Sequence, residues 1–155
     1  MATGDPHVEL ALDPDEDSHP DHLRPVSLLL VGVGGFVGTL ARYEVDRVLP
    51  TAGRWPSATF AINILGAFLL GLLLESLARR GPDVDASRRW RLVAGVGFCG
   101  AFTTYSTLAV EVSELARASH HVLAVSYGVA TVLVGFIATA AGIALSSHRR
   151  VDVGS

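Results

Sequence analysis

Four long stretches of the chain carry no charged residue, and each is predominantly apolar. They run over residues 25–41, 55–74, 92–110 and 122–147. About 20 apolar residues let a helix cross roughly 30 Å of hydrocarbon, and an arginine at a helix end can reach the headgroups. The pattern therefore predicts an all-α membrane protein with four transmembrane helices, over about residues 25–48, 55–79, 88–117 and 120–147.

The third stretch holds many polar groups for a membrane helix, in the sequence GFCGAFTTYSTLAVEV from Gly97 to Val112. Its glycines and hydroxyl side chains weaken a lipid-facing helix. Broken helices at membrane depth are tolerated only when they are buried in protein or line a cavity, and their free carbonyls commonly coordinate a cation. We therefore expect a break in the third helix. Glu111, at the end of the charge-free run, is interpreted as a vestibule group or an interfacial charge.

Polar side chains also interrupt the second and fourth helices. Asn63 lies near the middle of the second helix, with Thr59 one turn earlier, and Tyr127 and Thr131 are one turn apart in the fourth. An unpaired amide in hydrocarbon costs several kcal/mol, so Asn63 must face another helix or water. Two roles stay open for Asn63, an interhelical hydrogen bond or donation to an anion. Tyr127 could be an interfacial anchor, and Thr131 could bond its own preceding carbonyl.

Together these side chains predict a thin polar track through the membrane. None of them is charged at neutral pH, and they offer hydrogen-bond donors and aromatic ring edges, which favour a small anion. No row of Asp or Glu crosses the membrane, which argues against a cation pore or a proton-coupled pump. The track comprises Thr59, Asn63, Tyr105, Ser106, Thr107, Tyr127 and Thr131.

Glycines and one arginine complete the picture of the membrane helices. Gly34 and Gly38 leave one face of the first helix nearly bare, and Gly66 and Gly71 supply further small positions in the second. Small residues let another helix approach closely in lipid. Arg42, at the end of the first helix, either extends to the headgroups or draws anions toward a vestibule.

The composition of the chain indicates where the membrane domain begins and ends. Half of the residues are hydrophobic and the mean hydropathy is +0.43. Residues 1–24 hold seven of the fifteen acidic residues, and this composition predicts a disordered acidic tail before a single four-helix domain over 25–148 and a short tail over 149–155. Cys99 is the single cysteine, and no zinc spacing or nucleotide-binding motif is present. The sequence gives no support to enzyme activity or to a nucleic-acid partner.

The arginines are distributed unevenly between the two sides of the membrane. Cytoplasmic loops carry an excess of basic residues, so the richer side predicts the orientation. That side would hold both termini and the second loop, and both termini are therefore predicted to be cytoplasmic in the plasma membrane. Its arginines are Arg24, Arg79, Arg80, Arg88, Arg89, Arg91, Arg149 and Arg150, against Arg42, Arg47, Arg54 and Arg117 on the other side.

Three segments resemble the Fluc (CrcB) family of fluoride channels, in the same order and with similar spacing. They are GGFVGTLARY, TFAINILGAFLLG and GFCGAFTTYSTLAVE, and the resemblance covers about residues 27–147. It implies an antiparallel dimer of four-helix subunits with two narrow fluoride pathways at its interface. It also implies a structural Na⁺ at the dimer centre, held by backbone carbonyls at the break in the third helix.

Carried onto this chain, the resemblance implies a set of site residues. The Na⁺ carbonyls would be those of Gly100 and Thr103. Asn63 corresponds to the pore asparagine and Arg42 to the vestibule arginine, while Glu111 takes the acidic position of the third helix. The remaining pathway residues would be Thr59, Tyr105, Ser106, Thr107, Leu108, Tyr127 and Thr131.

Two departures from the family pattern bear on the assembly. The family usually has two phenylalanines, three residues apart, where this chain has Tyr105 and Leu108. Leucine offers no oriented quadrupole to an anion. The uneven arginines also predict one fixed orientation, whereas a dual-topology homodimer needs balance. Both features favour the hypothesis that this chain is one half of a heterodimer with an oppositely oriented homologous chain.

The resemblance implies a passive channel that exports cytoplasmic fluoride and lowers its toxicity. One alternative is a subunit that does not conduct by itself and only supports its partner. Another is a small four-helix multidrug-type exporter, but such an exporter needs a membrane carboxylate early in the chain. The first helix has none before Glu44.

Overall fold

The protein is described by a computed structural model that covers residues 25–49, 53–80 and 85–148. The predicted tails over 1–24 and 149–155 lie outside these residues. Four helical stretches are long and apolar enough to cross a membrane, at Pro25–Val48, Ser57–Ala78, Ala86–Arg117 and His121–His148. The prediction of an all-helical protein with four spans is therefore confirmed.

The spans pack mainly in two pairs, the first against the third and the second against the fourth. The first two spans are α1 (Pro25–Val48) and α2 (Ser57–Ala78), and the last is α6 (His121–His148). The third span is composite: α3 (Asp85–Trp90), a π-helical segment (Arg91–Cys99), α4 (Gly100–Phe102) and α5 (Tyr105–Arg117). The Gly100 N–H donates to the Gly95 carbonyl, five residues back, which is the wider pattern of a π-helix.

Between α4 and α5 the backbone is extended at two residues. Thr103 has φ −75° and ψ 156°, and Thr104 has φ −145° and ψ 115°. The Thr103 N–H still donates to the Cys99 carbonyl at 3.1 Å, but helical bonding does not continue through Thr104. The composite third span thus contains two residues of extended backbone between α4 and α5.

The first and third spans meet where glycines replace side chains. A Cβ atom added at Gly34 would overlap the carbonyl oxygen of Val93, and one at Gly38 would overlap that of Phe98. From the other side, a Cβ at Gly97 would lie 2.7 Å from the carbonyl oxygen of Val31. The predicted close approach at the Gly34 and Gly38 face is confirmed, with the π-helical segment as the partner.

The second and fourth spans also meet where glycines replace side chains. A Cβ at Gly71 would overlap the Thr139 carbonyl, and a Cβ at Gly142 would overlap the Phe68 carbonyl. The Thr139 hydroxyl lies 3.3 Å from the Ala67 carbonyl across the same contact. Backbone therefore faces backbone along α2 and α6, which is the way small residues tighten helix pairs in lipid.

A tight turn returns the chain from α5 to α6. The His120 N–H donates to the Leu115 carbonyl at 2.9 Å, and the Ser119 N–H donates to Ala116 at 3.0 Å. These are the two bonds of a Schellman cap, in which Ser119 holds the left-handed conformation at φ 64° that glycine usually takes. The turn brings the start of α6 back beside α5.

The outer surface of the bundle is apolar. Large side chains on α1 and α6, such as Phe36 and Phe136, are exposed in the single chain. Exposed apolar side chains on four helices of spanning length are typical of a surface that faces lipid or another membrane subunit. The described bundle is that of a multi-pass membrane protein.

We expect Gly142→Ala to lower the stability of the bundle, because the new methyl group meets a backbone carbonyl that cannot rotate away. Overpacking of this kind costs about 1–3 kcal/mol. Gly135→Ala in the same helix is the matched control, since its Cβ would meet only side-chain atoms at ordinary contact distance, Ile64 at 3.8 Å and Ala67 at 4.0 Å. Unfolding in mixed micelles measures both, and equal stability of the two variants would contradict the close approach.

Candidate functional site

The amide of Asn63 forms two hydrogen bonds with the backbone of Thr104. Its Nδ2 donates to the Thr104 carbonyl at 3.1 Å, and its Oδ1 accepts from the Thr104 N–H at 2.9 Å. The side chain thus takes the place of a helical neighbour at the residue where the third span is extended. Of the two roles left open for Asn63, the structure contains the interhelical hydrogen bond. One proton of the Nδ2 group is left over from this pair.

Two carbonyls near Thr104 lack their usual helical donors. In an unbroken helix the Gly100 carbonyl would accept from the Thr104 N–H, which here donates to Asn63. The Thr103 carbonyl would accept from the Thr107 N–H, which donates instead to the Thr104 hydroxyl at 3.2 Å. The two carbonyls implied for Na⁺ are therefore the ones that the break releases, and oxygen donors of this kind suit a hard cation.

A cavity lies beside these residues, and the lack of a side chain at Gly66 lets Thr103 approach α2 closely. A cavity of about 520 Å³ is lined by Asn63, Gly66, Gly100 and Thr103, among others. A Cβ at Gly66 would overlap the Thr103 Cγ2 atom and lie 3.3 Å from the Phe102 ring. The residues present thus fit a cation bound to backbone oxygens.

The hydroxyl of Thr104 joins the break to the first turn of α5. Its Oγ1 caps α5 by accepting from the Thr107 N–H and donates to the Thr107 Oγ1 at 2.9 Å. The Ser106 Oγ lies 3.3 Å away. Thr104 is buried, whereas Ser106 and Thr107 are exposed in the single chain. A short row of hydroxyls therefore leads from the protein interior to its surface at membrane depth.

Glu111 gathers two residues of the predicted track. Its Oε1 accepts from the Thr59 hydroxyl at 2.8 Å, and its Oε2 accepts from the Tyr127 hydroxyl at 2.7 Å. Thr59 is 3% exposed and Tyr127 is fully buried. The half-buried carboxylate is thus held by hydroxyl groups of α2 and α6. Its pairing with both residues could not be read from the chain order.

The remaining predicted residues are placed unequally. Thr131 is buried, and its hydroxyl donates to the Tyr127 carbonyl one turn back in its own helix at 2.8 Å. Leu108 is buried, but Tyr105 is 83% exposed at the start of α5. Arg42 is half-buried on α1, in a different helix from the Asn63 and Glu111 clusters. The structure thus does not bring Tyr105 and Arg42 into the hydrogen-bonded groups.

A cavity of about 620 Å³ opens between the end of α1, the start of α2 and the turn before α6. It reaches Thr59, Thr107 and Glu111 from outside the bundle. Charged and titratable residues outside the predicted track also line it, namely Asp46, Arg54, Glu114 and His120. The signal available for them was their position at helix ends on one side of the membrane.

Trp55 was also missed. Its ring centroid lies 5.2 Å from that of Tyr127, with an angle of 80° between the ring planes. The centroid of Phe60 is 5.6 Å away, with an interplanar angle of 66°. The available signal was a tryptophan next to Pro56 in a short connection, which is more often taken as an interfacial anchor.

Comparison with known proteins gives a consistent set of matches. Residues 29–143 match the family described as CrcB-like protein, Camphor Resistance (CrcB). The chain is 48% identical over 130 residues to a fluoride-specific ion channel FluC 2 of Leifsonia xyli subsp. xyli, with 84% of this chain and 90% of that protein covered. It is 42% identical over 127 residues to a fluoride-specific ion channel FluC of Phenylobacterium zucineum, with coverages of 81% and 97%.

A third relative agrees. The fluoride-specific ion channel FluC of Chlorobium chlorochromatii is 44% identical over 117 residues, which cover 75% of this chain and 88% of that protein. All three matches extend over most of both chains.

We expect Thr104→Val to destabilise the bundle by about 1 kcal/mol, because it removes the cap of α5 while keeping the shape of the side chain. Thr131→Val is the matched control, since that hydroxyl bonds only within its own helix. Thr104→Ser should keep the cap and the stability. Thermal unfolding in detergent measures the series, and a Thr131→Val loss as large as that of Thr104→Val would contradict the capping role.

Proposed function

The chain belongs to the CrcB family, and on that basis we propose that it forms a fluoride-specific ion channel rather than an enzyme. The observation that carries the proposal is the extent of the family match. Residues 29–143 include every pathway residue from Arg42 to Thr131, and the relatives called fluoride-specific channels align over most of their length. The clusters around Asn63 and Glu111 lie within this region.

The chemistry of the track supports a small, strongly hydrated anion as the permeating ion. Hydroxyl groups of Thr104, Ser106 and Thr107 lie within hydrogen-bond distance in a row, and the free proton on Asn63 Nδ2 adds a neutral donor. A small anion gains more from such close donors than a large one, so fluoride would be favoured over chloride. Glu111 does not stand as a bare charge, because both of its oxygens accept hydrogen bonds.

The mode of transport that we propose is passive export. Fluoride would enter a cell as neutral HF, ionise in the cytoplasm and leave as an anion. A membrane potential that is negative inside drives an anion outward by about 2.3 kcal/mol per 100 mV. No carboxylate lies in α1 within the charge-free stretch, so the chain lacks the early membrane carboxylate of a proton-coupled exporter.

We further propose that the channel is a dimer with an oppositely oriented homologous chain. Tyr105, Ser106 and Thr107 are exposed in the single chain at membrane depth, where hydroxyl groups need partners. A second subunit would cover them and complete the pathway. The uneven arginines and Leu108 support a heterodimer, with both termini of this chain in the cytoplasm.

A structural Na⁺ is part of the proposal. The carbonyls of Gly100 and Thr103 would hold it, because the Thr104 and Thr107 N–H groups donate elsewhere. When bound, the ion would supply a fixed positive charge that ties two chains together. Asn63 contributes by keeping the Thr104 N–H away from the Gly100 carbonyl.

Fluoride efflux from liposomes that contain the purified chain alone tests the function. If two copies of this chain form the channel, fluoride release should require a K⁺ ionophore, which relieves the voltage. Chloride should be released far more slowly, because the donors select for the smaller anion. Selective efflux would establish conduction by a homodimer that tolerates Leu108. Equal release of fluoride and chloride would contradict the proposal.

If the folded chain alone releases no fluoride in this assay, the result would indicate the heterodimer. The pair with an oppositely oriented homologue should then conduct where neither chain does alone. Efflux that requires a proton gradient would instead indicate an exporter.

Thermal unfolding in detergent tests the Na⁺ site without using transport. We expect a higher midpoint in NaCl than in N-methylglucamine chloride at the same ionic strength, since an ion that binds only the folded state stabilises it by about 2.7 kcal/mol at 100 times its Kd. Gly66→Ala should abolish this Na⁺ dependence by displacing Thr103. Gly135→Ala should retain the Na⁺ dependence. Full Na⁺ dependence in both variants would exclude the Thr103 carbonyl as a ligand of Na⁺.

A further inference from the structure

Trp55 lies in the connection between α1 and α2 yet is half-buried against the bundle. Its carbonyl accepts from the Ser57 N–H at 2.8 Å, which fixes the backbone of the connection to the first turn of α2. Its ring meets Phe60 on α2 and Tyr127 on α6 in edge-to-face geometry. Trp55 therefore bridges two spans that both contribute donors to Glu111.

Tyr127 is held by contacts at both ends of its side chain. The ring is packed at 80° to the Trp55 ring, and the hydroxyl donates to Glu111 Oε2 at 2.7 Å. Edge-to-face pairs have a preferred geometry, so the Trp55 ring restricts the rotation of the Tyr127 ring. Since Tyr127 is fully buried, the direction of its hydroxyl depends on this packing.

We propose that Trp55 is a positioning residue for ion passage that acts through the Tyr127 hydroxyl. By holding Tyr127 against Glu111, it keeps two donors on the carboxylate at the inner end of the 620 Å³ cavity. A carboxylate that loses one donor presents more negative potential to an approaching anion. The inference rests on the proposed function, because its consequence is read in fluoride flux.

A double-mutant cycle on fluoride efflux tests the inference in whichever assembly conducts. Trp55→Leu should slow efflux roughly threefold to tenfold, the range expected when one directed hydrogen bond is disturbed. Trp55→Phe should restore most of the rate, because it keeps a ring edge. In a Tyr127→Phe background, Trp55→Leu should cause no further loss, since the hydroxyl through which Trp55 acts is already gone.

Trp90→Leu is the matched control, because Trp90 is 55% exposed at the start of the third span and should leave efflux unchanged. If Trp55→Leu slows efflux equally with and without the Tyr127 hydroxyl, Trp55 is only an interfacial anchor and the inference is overturned. The inference is also overturned if efflux through the Trp55→Phe variant is as slow as through the Trp55→Leu variant.

Unfolding free energies of a second cycle give a readout that does not need conduction; its four chains are the unaltered protein, Trp55→Leu, Tyr127→Leu and the double variant. We expect the effects of Trp55→Leu and Tyr127→Leu to be less than additive, because both remove the same ring contact. Additive effects on the unfolding free energy would contradict the inference that Trp55 positions Tyr127 through their ring contact. A chain that shows this coupling but never passes fluoride, alone or with a partner, would refute the proposed function and leave the contact standing.

Discussion

The bundle depends on one requirement, that backbone polar groups inside hydrocarbon must have partners. Thr104 leaves the helical pattern at membrane depth, and the Asn63 amide meets both its N–H and its carbonyl. Without that pair, the extended residues would expose two unsatisfied groups. With it, the Thr104 N–H no longer meets the Gly100 carbonyl. The Thr104 hydroxyl caps α5 and so takes the Thr107 N–H from the Thr103 carbonyl. The Asn63 side chain thus satisfies the backbone groups of Thr104 and allows the extended backbone there to exist inside the membrane.

A second polar centre, around Glu111, lies nearer the end of the third span and is built from different groups. Glu111 is ionisable, but α2 and α6 each direct a hydroxyl group at one of its oxygens. The charge is therefore distributed into two hydrogen bonds inside the protein. The Asn63 centre relies on backbone groups, whereas the Glu111 centre relies on side chains. Thr107, which lines the cavity near Glu111 and bonds to Thr104, lies between the two.

Much of this arrangement could be predicted from the sequence, because hydrophobic length and buried amides impose strong physical demands. The four spans follow from charge-free runs, and the need of Asn63 for a partner follows from its depth. The identity of that partner could not be predicted, since it depends on how closely α2 approaches the third span at Gly66. Tyr105 and Leu108 are three apart on one helix, yet one is exposed and the other buried, which only the packing decides. Trp55 was missed because ring contacts carry no pattern along the chain.

The glycine contacts have a mechanical consequence. At Gly34, Gly38, Gly71 and Gly142, helices touch through backbone atoms, with no layer of side chains between them. A side-chain layer can absorb a small displacement by changing rotamers, but main-chain atoms in contact have no such freedom. The paired spans should therefore move as stiff units. When the surrounding bilayer thins or thickens, such a bundle responds by tilting as a whole, and the spacing between its helices stays the same.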